Sequence, residues 1–328
     1  MKQTIFLIGN PAAGRNALRK INEAASIIKN RGHDIRVLLT GKRGDAESFA
    51  RQIGSESGVK SPELKNDKNL GLITHDFKLL IIAAGGDGTY NEVINGIACT
   101  NIPMAILPLG TTNVLAKELN IPEDVEKALD IALSGREQTV SLGKITSRHL
   151  TSADSSLAQP QASPPGQITR HFLLMAGIGY DGETVYGIKK GLKKYSGKGA
   201  YILSGLRTLL RWAPDKLTFT MDGKSCEGYS AIICKTSKYG GNFRIAPDAD
   251  IKNSVFYAFI MHGKSRLDIF RYVSGILTKK HLKFTDITYR KIENMEVKGK
   301  AHIQIDGDCF GMTPAKIEIV PDALRLIY

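Results

Sequence analysis

The chain of 328 residues carries 45 Lys and Arg against 32 Asp and Glu, a net charge of +13, and is 42% hydrophobic. That length leaves room for two domains, the apolar share suits ordinary globular cores, and the charge favours an anionic partner: a nucleotide, a nucleic acid or an acidic membrane surface. Excluded are a disulfide framework or cysteine zinc site, since Cys99, Cys226, Cys234 and Cys309 form no CxxC pair, and a spanning helix, since no run approaches about 18 apolar residues.

Residues 2–9 predict a first strand centred on Ile5, Phe6, Leu7 and Ile8. The apolar stretch is too short for a signal peptide, and the cysteine usage suits a reducing cytoplasm. The strand runs into Asn10-Pro11-Ala12-Ala13-Gly14, a turn of small residues. Gly9 and Gly14 have the spacing of a Walker A loop, but Arg15-Asn16 stands where Lys-Ser or Lys-Thr belongs, so that specific reading fails. A small-residue turn opening a helix still holds phosphate by its backbone. The helix covers 17–29, with Leu18, Ile21, Ala25 and Ile28 on one face. A second strand at 35–39 ends in a loop that begins at Thr40, and a further helix starts at Ala46. Residues 54–76 are polar and irregular, a surface insertion.

Residues 79–84 form a short continuous apolar run, the pattern of a buried parallel strand. Gly85-Gly86-Asp87-Gly88-Thr89 follows, and from Tyr90 the pattern turns helical, with Val93, Ile94 and Ile97 on one face. A glycine-rich turn between strand and helix is a phosphate cradle. Asp87 sits oddly there, because a carboxylate repels phosphate unless a cation lies between them, and magnesium takes both kinds of oxygen. The other reading makes Asp87 a cap of a tight turn. A fourth strand at 102–107 leads to Pro108-Leu109-Gly110-Thr111-Thr112-Asn113 and a helix at 114–119. Thr111, Thr112 and Asn113 suit either a ligand or a plain helix cap. Pro122 opens one more helix, and a strand at 139–145 leaves the first domain. Such strand–helix alternation predicts a parallel α/β sheet, with ligands at the carboxyl ends where Asn10, Thr40, Gly85 and Gly110 fall.

Residues 147–167 are Ser- and Pro-rich, a flexible loop. A strand at 172–176 precedes Gly177-Ile178-Gly179-Tyr180-Asp181-Gly182. This matches GxGxxG, but a dinucleotide fingerprint needs an acid ending the next strand about 20 residues on, and that region is Lys-rich and helical. Residues 185–212 read as two basic amphipathic helices, suited to an anionic membrane surface or to a solvated basic face. Short strands follow at 217–221, 229–236, 255–260, 284–289, 301–305 and 317–320, interrupted by one helix at 266–277. That spacing predicts a β-sandwich. Its polar segments 240–250 and 305–311 suit turn chemistry or a general base.

Taken together, NPAAG at 10–14, GGDGTYNEVING at 85–96 and PLGTTN at 108–113 closely resemble the bacterial lipid kinases of the diacylglycerol kinase catalytic-domain family. The resemblance continues through AGIGYDG, GGNFRIAPDA and IDGD, over nearly the whole chain. It implies an ATP-binding α/β domain at 1–140 and a β-sandwich lipid-substrate domain at 141–328, with the last strands returning to the first domain and the active site in the cleft between them. It puts Asn10, Pro11, Ala12, Ala13, Gly14, Thr40, Gly85, Gly86, Asp87, Gly88, Thr89, Tyr90, Asn91, Glu92 and Thr111 around ATP. Asp308 falls where the family has an acid, usually Glu, that accepts the proton of the substrate hydroxyl, and Asp87 joins it in the catalytic set. A metal site is implied at Asp250, Asn253 and Val255. There the family's Asp-Gly pair is replaced by Asn253-Ser254, and neutral Asn is a weaker magnesium ligand, which leaves Asp250 as the acid that stands in.

The expectation is therefore an ATP- and magnesium-dependent lipid kinase, cytoplasmic and peripherally bound to an anionic membrane, with a homodimer left open. Nucleic acid is not expected as partner, since no RNA-binding aromatic motif or recognition helix accompanies the charge. The alternatives are an NAD kinase-like enzyme with a soluble substrate and an inactive nucleotide- or lipid-binding homologue.

Overall fold

The computed structural model describes residues 4–56, 79–148, 167–191, 205, 207–240 and 243–328. The insertion expected at 54–76, the loop at 147–167 and part of the basic segment at 185–212 thus lie largely outside the described residues. The chain divides into two compact units, residues 1–140 with 322–328, and residues 141–321.

The first unit alternates strand and helix: β1 (Thr4–Gly9), α1 (Ala17–Asn30), β2 (Asp34–Leu39), α2 (Asp45–Glu56), β3 (Leu79–Gly85), α3 (Asp87–Ile97), β4 (Pro103–Pro108), α4 (Val114–Glu118) and α5 (Val125–Ser134). The strands form a parallel sheet in the order β2-β1-β3-β4. β1 and β3 are buried almost throughout, as apolar runs covered on both faces must be, whereas β2 at the edge is largely exposed. Beside β4 lies the end of the last strand, with Arg325 and Leu326 in parallel register to Pro103 and Met104. Three helix starts differ from expectation by more than one residue: α3 begins at Asp87 rather than Tyr90, the first helix of the basic segment begins at Tyr180 rather than 185, and α5 is the third. α5 begins at Val125, not at Pro122, because the Asp124 side chain accepts the Lys127 N–H and sets the cap there.

The second unit is antiparallel. Its strands are β5 (Glu137–Arg148, which begins in the first unit), β6 (Gln167–Phe172), β7 (Met175–Ile178), β8 (Leu217–Met221), β9 (Lys224–Gly228), β10 (Ser230–Cys234), β11 (Lys238–Tyr239), β12 (Phe243–Arg244), β13 (Phe256–Met261), β14 (Ile287–Ile292), β15 (Asn294–Lys298), β16 (His302–Ile305), β17 (Asp308–Met312) and β18 (Ala315–Ile327). Its helices include α6 (Tyr180–Gly191) and α7 (Arg266–Leu277). One sheet runs β14-β13-β10-β7-β16-β17; the other joins β18, β15, β8 and β9, with β5 and β6 attached to β18. Side chains of both sheets meet in one core that includes Phe172, Phe219, Phe256, Ile303 and Ile317. The rings of Phe172 and Phe256 stack there at 5.6 Å. This is the expected sandwich.

The strand expected at 172–176 is two strands. β6 stops at Phe172 and β7 starts at Met175, because the Asp306 carboxylate takes the backbone N–H groups of Leu173, Leu174 and Met175, each at 2.9 Å. β9, β15 and β17 were not expected. β8–β9 and β16–β17 turn through Asp222-Gly223 and Asp306-Gly307, all four residues at positive φ, as two-residue type I′ hairpins require.

Candidate active site

In an open parallel sheet ordered β2-β1-β3-β4 the strand order reverses between β1 and β3, and ligands bind at the carboxyl end of that switch. Asn10 follows β1 and Gly85 ends β3. Asn10 donates from Nδ2 to Thr89 Oγ1 at 3.3 Å, while its Oδ1 accepts the Ala12 N–H at 2.9 Å, so one side chain ties the two loops. Thr40, after β2, donates its N–H to Gly9 O at 2.9 Å and closes the same edge. The helices that leave these loops, α1 and α3, have no side-chain cap at their N-termini. Two neighbouring uncapped helix starts concentrate N–H groups and positive dipole ends on one spot, which favours phosphate.

The glycines are there for close approach. A Cβ on Gly14 would lie 2.3 Å from Leu109 O, and one on Gly110 would lie 2.7 Å from Gly86 Cα. NPAAG, GGDGT and PLGTTN therefore pack backbone against backbone as a single cluster. Asn113, which the resemblance did not single out, lies at its centre. Asn113 is buried with φ 48, donates from Nδ2 to Gly110 O at 2.8 Å, and leaves Oδ1 without a hydrogen bond.

The described geometry gives Asp87 another employment than the cation expected for it. Its Oδ2 accepts the Val114 N–H and its Oδ1 the Leu115 N–H, both at 3.0 Å. Asp87 is thus a cap, but of α4 rather than of its own helix, and it fastens the GGDGT loop to the PLGTTN loop. Burial raises its carboxyl above the ordinary value against the lowering pull of those N–H groups. Other residues of the expected set also brace the cluster. The buried Tyr90 hydroxyl donates to Gly85 O at 2.8 Å, Asn91 is buried beside Asn95, and Glu92 accepts the N–H groups of Gly44 and Ala46 at the start of α2. Pro11, Ala12, Ala13, Gly14, Gly86, Gly88 and Thr111 keep surface open to a ligand.

In the second unit the two acids of IDGD divide the work. Asp306 is the buried turn residue that anchors the start of β7, and Asp308 is the half-buried first residue of β17. Gln304 joins this hairpin to a second buried acid: Gln304 Oε1 accepts the Gly307 N–H at 2.8 Å and Nε2 donates to Asp181 Oδ2 at 2.6 Å. The Tyr239 hydroxyl donates to the other Asp181 oxygen. Gly177 of the GxGxxG match serves this network, since a Cβ there would lie 1.9 Å from Asp181 Oδ2. Gly177 thus admits a carboxylate, and Gly179 and Gly182 admit the backbone of Tyr229 and His302. Near α6 a cavity of about 570 Å³ is lined by Tyr186, Arg207, Arg211, Trp212, Lys300 and His302 among others. The buried Trp212 Nε1 has no hydrogen-bond partner.

Residues 4–145 match the model of the diacylglycerol kinase catalytic domain, and residues 176–328 that of the YegS C-terminal NAD kinase beta sandwich-like domain. The first match takes in most of the N-terminal unit and the second most of the other. On the first match the chain is a kinase of lipid hydroxyls. A diacylglycerol kinase of Bacillus subtilis (strain 168) is 27% identical over 94% of this chain and 91% of its own. One of Staphylococcus carnosus (strain TM300) is 24% identical over 96% and 92%. Among solved structures, one from Bacillus anthracis str. Sterne shares the fold with a TM-score of 0.69 at 18% identity, covering 100% of this chain and 97% of that one.

The likeness to these kinases brings the metal site at Asp250, Asn253 and Val255 to a test, and the donor set does not suit magnesium. Asn253 is neutral, and its carbonyl accepts the Ser141 hydroxyl at 3.2 Å. Asp250 turns its Oδ1 to the Lys252 N–H at 3.0 Å. The fully buried Lys235 extends its ammonium to Ile251 O at 2.6 Å and Asp250 O at 3.5 Å. Burial lowers Lys235 to about 8, against the raising effect of Asp250. An internal cation already holds these carbonyls, and a second, divalent one beside it is repelled. No group of three or more His, Cys, Asp or Glu side chains suited to a metal occurs among the described residues.

Proposed function

We propose that this lipid kinase is ATP- and magnesium-dependent and phosphorylates diacylglycerol or a similar lipid alcohol. One observation carries the nucleotide assignment: the two uncapped helix starts at the β1/β3 switch, tied by Asn10 and Thr89. The backbone of NPAAG and GGDGT receives the phosphates, and Thr40 and Thr111 border them. Asp87 acts by fixing the position of the loops. Asp308 is the catalytic base. The lipid hydroxyl oxygen bonds to the γ-phosphorus, the bond from that phosphorus to the bridging oxygen of ADP breaks, and the hydroxyl proton passes to the Asp308 carboxylate. Positioning and charge stabilisation supply most of the rate in such transfers. Magnesium bound to the triphosphate supplies charge neutralisation when present; the 250–255 segment has no part in holding it. Trp212, Arg207 and Arg211 suit the acceptor's polar glycerol end through the cavity they line.

The enzyme works peripherally from the cytoplasm on an anionic membrane. No described helix is long and apolar enough to cross one. A second reading has one observation behind it, the NAD kinase-like description of the matched C-terminal domain.

The test is transfer of labelled γ-phosphate from ATP to a panel of lipids in mixed micelles, and to NAD, with and without magnesium. A labelled lipid formed only with magnesium is expected. Asp308→Asn should lower kcat by about a hundredfold or more without changing the KM for ATP, a base contributing typically 10²–10⁴. Labelled NAD alone would overturn the lipid assignment, and ATP binding without any labelled product would leave the inactive homologue.

A further inference from the structure

α7 is apolar on two faces, and only one is covered. Ile269, Tyr272 and Gly275 are buried on the sandwich. On the other side Leu267 is 79% exposed, Phe270 65%, Val273 41% and Leu277 54%. At 100° per residue these four, with Ser274 among them, make one arc of about 120° along a helix about 18 Å long. A helix apolar all round is ordinarily buried on all sides, and isolated surface apolar residues do not line up in this way.

The border of the stripe is cationic. Lys264 and Arg266 stand at its amino end, and Lys279, Lys280 and Lys283 at its carboxyl end, all exposed. Leu282, also exposed, extends the apolar patch between the last of them. The nearby acids do not offset these charges. Asp268 caps the helix through Ser265, and Asp286 is engaged by Arg271 and by the Tyr272 hydroxyl at 2.5 Å. Ser265 and Asp268 form a complete capping box, so the helix is fixed at its start and presents the stripe as a rigid ridge.

We propose that α7 is the membrane-docking element of this chain, entering an anionic bilayer interface by Leu267, Phe270, Val273 and Leu277 while the five cations engage lipid phosphates. This rests on the lipid-kinase reading for its purpose, and on the exposed stripe and its charge for its place. An amphipathic helix of this kind lies in the interface plane with its apolar face about 5–10 Å deep. The docking surface thereby shifts from the basic segment at 185–212 to a helix whose sequence shows few charges of its own.

The experiment is co-sedimentation of the full chain with vesicles of phosphatidylcholine alone and of phosphatidylcholine mixed with phosphatidylglycerol. Binding to the mixed vesicles only is expected. Leu267→Glu with Phe270→Glu should weaken it by about tenfold or more, since two apolar anchors become charges. Lys279→Gln, Lys280→Gln and Lys283→Gln should each weaken it by about fivefold and reduce its salt dependence. All these sites are exposed, and unchanged thermal melts verify folding. Phe270→Trp adds a direct reading: its emission should be quenched by brominated acyl chains.

Phosphate transfer to a short-chain, water-soluble diacylglycerol separates the two proposals. It should be unchanged in every variant, and its absence in the parent protein sinks the kinase reading alone. Equal vesicle binding by the parent and by Leu267→Glu/Phe270→Glu overturns the docking proposal. So does a parent dimer that this double variant dissociates, because the stripe is then a subunit interface.

Discussion

Three aspartates that look alike in the sequence have three different surroundings. Asp306 gives its carboxylate to three backbone N–H groups and shapes a strand break. Asp308, two residues on, begins a strand and is half-buried. Asp87 joins two loops by capping the neighbouring helix. The substitution Asp87→Asn leaves one oxygen for two N–H groups and turns an NH₂ toward the second. It should cost about 1–2 kcal/mol and loosen ATP binding together with stability, whereas Asp308→Asn should leave ATP binding unchanged. Calorimetry and ATP titration of both variants check this; an Asp87→Asn melt equal to the parent's would refute the capping role. Of this arrangement the sequence showed the loop and its acid, but not which helix the acid would cap.

At the scale of elements, β6 and β5 carry a pH response. His171 lies opposite Lys144 in their register, next to Arg170. Burial first, then Lys144 and Arg170, lower its imidazole from 6.5 to about 4. The unfolded chain therefore takes up this proton at a higher pH than the folded one. Stability is fully present above about pH 6.5, falls as the pH drops toward about 4, and stops falling below that on this residue's account. The slope from one such group is at most about 1.4 kcal/mol per pH unit. Urea unfolding across this range should show a shallower decline in His171→Gln than in the parent, and identical declines would contradict the assignment. The elements themselves were unevenly legible. β1 and β3 were readable as unbroken apolar runs and α7 as a capped periodic segment. β9 and β17 are half-polar strands, and only the Asp-Gly pairs at their turns announced them.

For the whole molecule, the notable feature is a chain that leaves its first unit at Val140 and returns at Asp322. The returning segment sets Leu324 and Leu326, both buried, beside β4. Leu326→Ala should destabilise the N-terminal unit by about 2–5 kcal/mol, although nearly two hundred residues separate it from the rest of that unit. Hydrogen exchange in β4 and β3 should quicken in the variant, and unaltered exchange there would show that the last strand adds nothing to the first unit.

The sequence by itself determined the two kinds of layer, the loops at the carboxyl strand ends and the kinship of the chain. These follow from local matters: apolar period, glycine where backbones must turn, and motif order. Only the tertiary structure decided what the polar side chains of those motifs do. A carboxylate or an ammonium takes its function from whichever N–H or carbonyl the fold brings to it, and those partners lie far off in the chain: Val114 for Asp87, Leu173 for Asp306, Ile251 for Lys235. The same holds for α7. Its two apolar faces are written in its sequence, but which of them the sandwich covers is a matter of packing.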